Sequence, residues 1–423
     1  MLASQTLAPA HQASSPAQDS PRNSNRLDGV DVLRGLAILL VVLNHVHMRL
    51  AIAGISYAAN ISKPLIASLV WNGQFGVQIF FAVSGFLITS TALRRWGTFS
   101  NISLRDFYLL RFARIAPMLL ALLAVLTALH YANISPFVVS EKTGGLGRAL
   151  LAALTLHVNV LQAHRGWLPA NWGVLWSLSV EEMFYLFFPM VALFFSRRNL
   201  FPAILLCFVA LGPFARTVFA RGNDIWSEQS YLGSMDAIAL GCLTALLVRR
   251  VRFSRTALRV FTVAGAALIV SILVGLRLFY VPLITKPGLD MTIIALGTCL
   301  IMIAAAQTHW KSPRALAPLL RLGQRSYEVY LTHMFVVFAL FAIFVKFGSP
   351  LWCVPLLFVA TIVVAAGTGN IVARFFSEPL NGMLRERWSH GPRQLGSVEF
   401  LEPASQSSEL GPENIAATYR NVS

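Results

Sequence analysis

The sequence predicts an all-α fold, a polytopic integral membrane bundle of about ten transmembrane helices with both termini cytoplasmic. Three observations point there. Hydrophobic residues make up 56% and charged residues 12% of the 423, about half the charge of an ordinary soluble chain, and mean hydropathy is +0.65. The apolar residues come in blocks long enough to cross a bilayer, where a helix satisfies every backbone amide and carbonyl within its own segment. The arginines behind the net charge of +16 sit in short tracts between those blocks. They read as topology signals and not as a nucleic-acid surface.

Taken in order, residues 1–26 are rich in Ala, Ser, Gln and Pro and lack an apolar run, which predicts a disordered N-terminal tail. Eleven apolar stretches follow, at about 33–50, 66–93, 110–130, 149–163, 173–195, 200–219, 231–248, 258–280, 288–307, 327–346 and 351–373. The fourth, with the core ALLAALTLHVNVL, is shorter than the ~20 residues a crossing needs and contains His157 and Asn159. If it stays on one side, the tracts at Arg94 to Arg114, Arg197 and Arg198, 249–255 and Lys311 to Arg325 all share the face of the two tails. That is the cytoplasmic arrangement basic residues favour. Ten spans result, with 131–172 an outer loop, partly re-entrant. Residues 386–423 are polar and predict a second disordered tail, leaving 27–385 as the transmembrane domain and no room for an appended catalytic domain. The four cysteines stand singly, without the paired spacing of a metal site or a redox dithiol.

Several polar residues fall inside these spans. In the first, Arg34 and His45 are eleven residues apart, about three helical turns, and so share one face. Each alone reads as an interfacial side chain; two on one face favour function, since ionisable residues within spans are mostly functional. Gln78, Ser84, Gly76 and Gly85 interrupt the second span, where small residues also serve close helix packing. Arg111 and Arg114, three apart, suit phosphate gripping as well as positive-inside anchoring.

NWGVLWSLSVEEMFYLFFPM opens a span with Trp172 and Trp176, which an interfacial tryptophan belt explains. The same segment places Glu181 and Glu182 in apolar sequence, where an unpaired acid costs several kcal/mol. Asp236 heads another span, and Tyr327, Tyr330 and His333 recur at three-residue spacing. The spans offer no metal-ligand cluster, nucleotide loop or serine triad. Acid–base or ion-pair chemistry on a bound substrate is the natural reading.

At LDGVDVLRGLAILLVVLNHV, GVQIFFAVSGFLIT, RFARIAP, WSLSVEEMFYL, SMDAIALG, SYEVYLTH and the closing SEP at 377–379, the sequence resembles acyltransferase family 3. These are membrane proteins that O-acylate surface polysaccharides such as lipopolysaccharide, Nod factors, peptidoglycan and macrolides. The resemblance runs from about residue 27 to 381. It implies a multi-pass enzyme of the cell inner membrane that takes an acyl group, commonly acetyl, from acyl-CoA (acetyl-CoA) without a metal. The acceptor would be a hydroxyl of a carbohydrate, glycolipid or macrolide.

It also implies that Arg34 and His45 are essential and that Arg111 and Arg114 assist, as the candidate coenzyme A contacts. Glu181 belongs to the family's Trp-Ser-Leu-x-x-Glu segment and is a third catalytic candidate, to orient His45 or bind the sugar. Trp176, Ser177, Glu182, Asp236, Tyr330 and His333 are candidate substrate contacts. Met235 stands where many members have an arginine, which weakens the case for Asp236. The chain is expected to act alone or to hand the acyl group to a separate protein. The alternative from another class is a transporter or flippase that uses the same charges to move a polar solute.

Overall fold

A computed structural model describes residues 26–57, 62–196, 200–275, 279 and 282–388. Both predicted tails, apart from Arg26 and residues 386–388, and the Arg197–Arg198 tract lie outside these residues. The chain forms α1 (Asp28–Ile52), α2 (Lys63–Val70), α3 (Gly73–Trp96), α4 (Leu104–Tyr131), α5 (Gly145–Leu154), α6 (Val158–Arg165), α7 (Ala170–Ser196), α8 (Phe201–Arg216) and α9 (Asp224–Gln229). It continues with α10 (Tyr231–Arg250), α11 (Arg255–Val270), α12 (Pro282–Thr285), α13 (Leu289–Thr308), α14 (Ala317–Gln324), α15 (Ser326–Lys346), α16 (Val354–Val372) and α17 (Glu378–Trp388). Among the described residues, nine helices are long and apolar enough to cross a membrane.

The expected span at 200–219 is the shortened one. It forms the 16-residue α8, about 24 Å long, yet it still returns the chain through the bundle. The starts of α7 and α10 lie on one face, because Gln162 donates to both Gly173 O and Gln229 Oε1. Among the described residues α8 lies between the end of α7 and the start of α10, and it is a shorter apolar helix beside the nine that are long enough to cross.

The doubtful stretch at 149–163 makes no crossing. It splits into α5 and α6, and its polar residues tie a cap to the ends of α7 and α10. Asn159 Nδ2 donates to Gln229 O at 3.1 Å, Val158 N to Ser179 Oγ, and the Tyr231 hydroxyl to Leu156 O. The expected span at 66–93 is broken too. Asn72 separates α2 from α3 and donates to Ser68 O, a carbonyl freed at the break, and to Leu273 O of a distant segment.

One face gathers the arginine tracts. Arg249 donates to Leu93 O and Gly97 O, Asp28 accepts from Ser312 N, and Arg325 pairs with Glu378. Both ends of the described chain thus share a face, termed inner below. On the outer face, Gln74 reaches Glu228 O and His47 bonds Tyr57.

α3 runs through the centre with its apolar side chains Phe75, Ile79, Phe81, Val83 and Phe86 buried. Glycines let its neighbours approach. A Cβ on Gly85 would stand 2.0 Å from Ile238 O of α10, and one on Gly241 would stand 2.0 Å from Ala82 O. Dispersion and close backbone contact take the place of a hydrophobic driving force between helices in lipid. A Cβ on Gly323 would stand 1.7 Å from Asp31 O, so α14 packs just as closely along the first turns of α1.

Candidate functional site

The site is built where α1, α3, α4, α7 and α15 meet. His45 of α1 and His333 of α15, 288 residues apart in sequence, place His45 Nδ1 3.3 Å from His333 Nε2. Their ring centroids are 5.0 Å apart, and His333 is fully buried.

Hydrogen-bond logic assigns the protons. His333 Nδ1 lies 2.6 Å from Tyr330 O. A carbonyl only accepts, so Nδ1 carries the hydrogen and Nε2 is left with a lone pair. His45 Nδ1 lies 2.8 Å from Val41 O, so it too carries hydrogen, directed at that carbonyl and at His333 Nε2. In the neutral imidazole the remaining nitrogen, His45 Nε2, carries the lone pair.

Tyr330 supports this pair. Its hydroxyl donates to Val174 O at 2.9 Å and lies 2.5 Å from Ser177 Oγ, which fixes α15 against α7. Trp176 is buried and meets the Phe81 ring edge-on at 6.1 Å, which makes it part of the α3–α7 packing.

The adjacent acids separate because consecutive helical positions face different neighbours. Glu181 turns to α3, accepting from the Ser84 hydroxyl and from the Tyr185 hydroxyl at 2.7 Å. Glu182 turns to α4, where Arg111 Nη2 donates at 2.9 Å. The Arg111 guanidinium also lies 3.6 Å from the centroid of the Tyr185 ring.

Of the two roles expected of Glu181, orienting His45 or binding the sugar, neither has a contact among the described residues: the ring contact of His45 is with His333, and Glu181 bonds Ser84 and Tyr185. Tyr185, which links Glu181 to Arg111, carries no separate signal in the sequence beyond its i+4 spacing from Glu181, which puts the two on one face.

Toward the inner face, Arg34 makes one long contact, 3.4 Å to Asp31 Oδ1. The charges acting on it are those of Arg114, Asp31, Glu181 and Glu328. Arg114 is exposed. Arg34 lies about 16 Å inward of His45 along α1.

Asp236 belongs to a different cluster. It is fully buried and pairs bidentately with Arg216, at 3.0 and 2.9 Å, while Thr292 donates to it at 2.5 Å. Arg216 also donates to Gly288 O and Gly233 O. This arginine comes from the end of α8, not from the position before the aspartate. Its sequence signal, a lone arginine closing an apolar block, passes equally for an interfacial anchor.

A profile of the acyltransferase domain of family 3 matches residues 27–369, the part of the chain that holds every residue above. The chain belongs to acyltransferase family 3. Among curated relatives, this acyltransferase domain is 23% identical to the O-acetyltransferase OatA of Staphylococcus aureus, over 88% of this chain and 60% of the relative. It is 26% identical to the peptidoglycan O-acetyltransferase OatA of Listeria monocytogenes, over 84% of this chain and 56% of the relative. The chain therefore spans little more than half the length of these relatives. No solved structure matches it.

Proposed function

We propose that this acyltransferase 3 domain is a multi-pass O-acyltransferase of the cell inner membrane. It would move an acyl group, acetyl in the first instance, from acyl-CoA to a hydroxyl of a carbohydrate acceptor. The observation that carries this reading is the contact of His45 with His333, with Arg34 about 16 Å inward on the same helix. The arginine tracts favour assigning the inner face to the cytoplasm, the compartment that holds acyl-CoA. The relatives' names supply the acceptor class, a surface glycan such as peptidoglycan.

The donor set suits a phosphorylated thioester. Among the described residues Arg34 and Arg114 are not spent on close ion pairs, and guanidinium forks match phosphate oxygens. With phosphates held there, the distance of about 16 Å to His45 is of the order of a pantetheine arm, so a thioester carbonyl reaches the histidine pair. Arg111 has its Nη2 committed to Glu182 and its Nε buried without a partner. It sets the shape of the entrance.

His45 Nε2 takes the proton of an acceptor hydroxyl as the oxygen adds to the thioester carbonyl. When the carbon–sulfur bond breaks, His45 returns that proton to the departing sulfur, leaving an ester and a free thiol. His333 accepts the His45 Nδ1 hydrogen and stabilises the imidazolium formed between the two steps. Glu181, anchored by Ser84 and Tyr185, adds negative charge that acts on Arg34.

The test is mass spectrometry of surface glycans and lipids from cells with the protein, without it and with His45→Ala. An ester-sized mass lost in both the deletion and the variant supports acyl transfer. An unchanged glycan and lipid profile counts against it.

A further inference from the structure

Arg49 lies on α1 four residues beyond His45, hence on the same side of the helix and about 6 Å further toward the outer face. Its guanidinium carbon is 4.6 Å from the Phe338 ring centroid and 5.3 Å from that of Phe341. Both rings belong to α15, the helix that carries His333. Arg49 therefore turns inward, above the histidine pair, and not out to lipid.

It is partly buried, and its Nε is buried without a hydrogen-bond partner. Arg111, Arg216 and Arg325 each have a carboxylate; among the described residues no carboxylate pairs with Arg49. An arginine at the outer end of a span also runs against the tendency of basic residues to stay on the cytoplasmic side. Two phenyl faces return only about 0.5–2 kcal/mol to a cation, and a buried N–H without an acceptor costs about 1–3 kcal/mol. The buried Nε therefore leaves the guanidinium with donor capacity for an anion.

We propose that Arg49 grips an oxyanion of the acceptor, a carboxylate or phosphate on the molecule whose hydroxyl is to be acylated. The guanidinium fork matches such a group bidentately. Held one turn outward of His45, the group leaves a neighbouring hydroxyl within reach of His45 Nε2. The assignment of the oxyanion to the acceptor rests on the acyl-transfer reading above; the oxyanion site itself does not. α1 then carries one guanidinium on each side of the base, Arg34 for the donor's phosphates and Arg49 for the acceptor's anion. The acceptor is accordingly an acidic glycan or a phosphate-linked sugar and not a neutral one.

The experiment is binding to the full chain in phosphatidylcholine nanodiscs, with a muramic-acid disaccharide as the free acid and as its methyl ester, and with inorganic phosphate as competitor. Wild type is expected to bind the acid about tenfold or more tighter than the ester, as a charge-assisted fork implies, and phosphate displaces the acid. In Arg49→Gln the acid binds like the ester and phosphate has no effect, while Arg49→Lys falls between. If Arg49→Gln does not fold, Arg49→Lys carries the comparison.

Equal binding of acid and ester by wild type, with phosphate acting alike on wild type and variant, overturns the proposal. So does the lipid outcome, in which phosphatidylglycerol discs raise the melting temperature of wild type but not of Arg49→Gln and no acid preference appears. Because binding is read without turnover, an acid preference in a protein that makes no ester refutes the acyl-transfer reading alone.

Discussion

The molecule holds two clusters of buried polar side chains that look alike in sequence and differ in what their atoms have left to do. In the Arg216–Asp236 cluster nearly every capacity is used: two carboxylate oxygens face a guanidinium, Thr292 adds a bond, and two carbonyls take further arginine hydrogens. In the Arg34–His45–His333 cluster capacity is left over. His45 Nε2 has no assigned donor, and Arg34 has one contact at 3.4 Å. A charge sealed by partners in a low-dielectric interior locks helices together. A charge or lone pair left open there is costly and signals a missing ligand.

Substitutions sharpen this comparison. The largest effect is expected from His45→Ala, which removes the proposed base. Acyl transfer should fall by roughly 10²–10⁴-fold with little change in melting temperature, read from ester formation and thermal unfolding of purified protein. A variant that loses stability in proportion to activity would place the histidine with the structural cluster.

Asp236→Asn should do the reverse. It leaves Arg216 buried without its counter-charge at a cost of about 3–5 kcal/mol, seen as lost folded protein in the membrane. The double change Arg216→Met with Asp236→Leu should recover much of that loss, because removing both charges removes the unpaired one. Full stability of the single variant would break the contrast.

A smaller effect is expected at His333. His333→Leu removes the acceptor for the His45 Nδ1 hydrogen, worth about 1 kcal/mol, and should lower kcat several-fold with the donor KM unchanged. His333→Gln offers a replacement acceptor and should retain more activity. Ser84→Ala deletes one of two hydroxyls on Glu181 and should cost about 1 kcal/mol at most, measured as a modest fall in kcat beside an unchanged fold.

Much of this was readable along the chain. Apolar blocks and arginine tracts located the passes and their alternation, because bilayer thickness and the positive-inside tendency act on local composition. Arg34 and His45 could be placed on one face because both sit on one helix. At α8 the helix has 16 residues where hydropathy marks 200–219, because residues 217–219 leave the helix beyond Arg216. At 66–93 the expected span is present by length and composition, and Asn72, bonded to Leu273 O of a distant segment, marks a break in it that hydropathy does not register.

By itself, the sequence determined the class, the face that gathers the arginines and the short list of polar side chains within the spans. These follow from the period of a helix and the cost of polar groups in lipid. Only the tertiary structure decided which of those side chains meet. It brought His333 to His45 across 288 residues, gave Asp236 to Arg216, and set Arg49 above the histidines without an acid. Such pairings depend on how helices are laid side by side, and helix order in a bundle is set by close backbone contacts, such as Gly85 against Ile238, that no local pattern encodes.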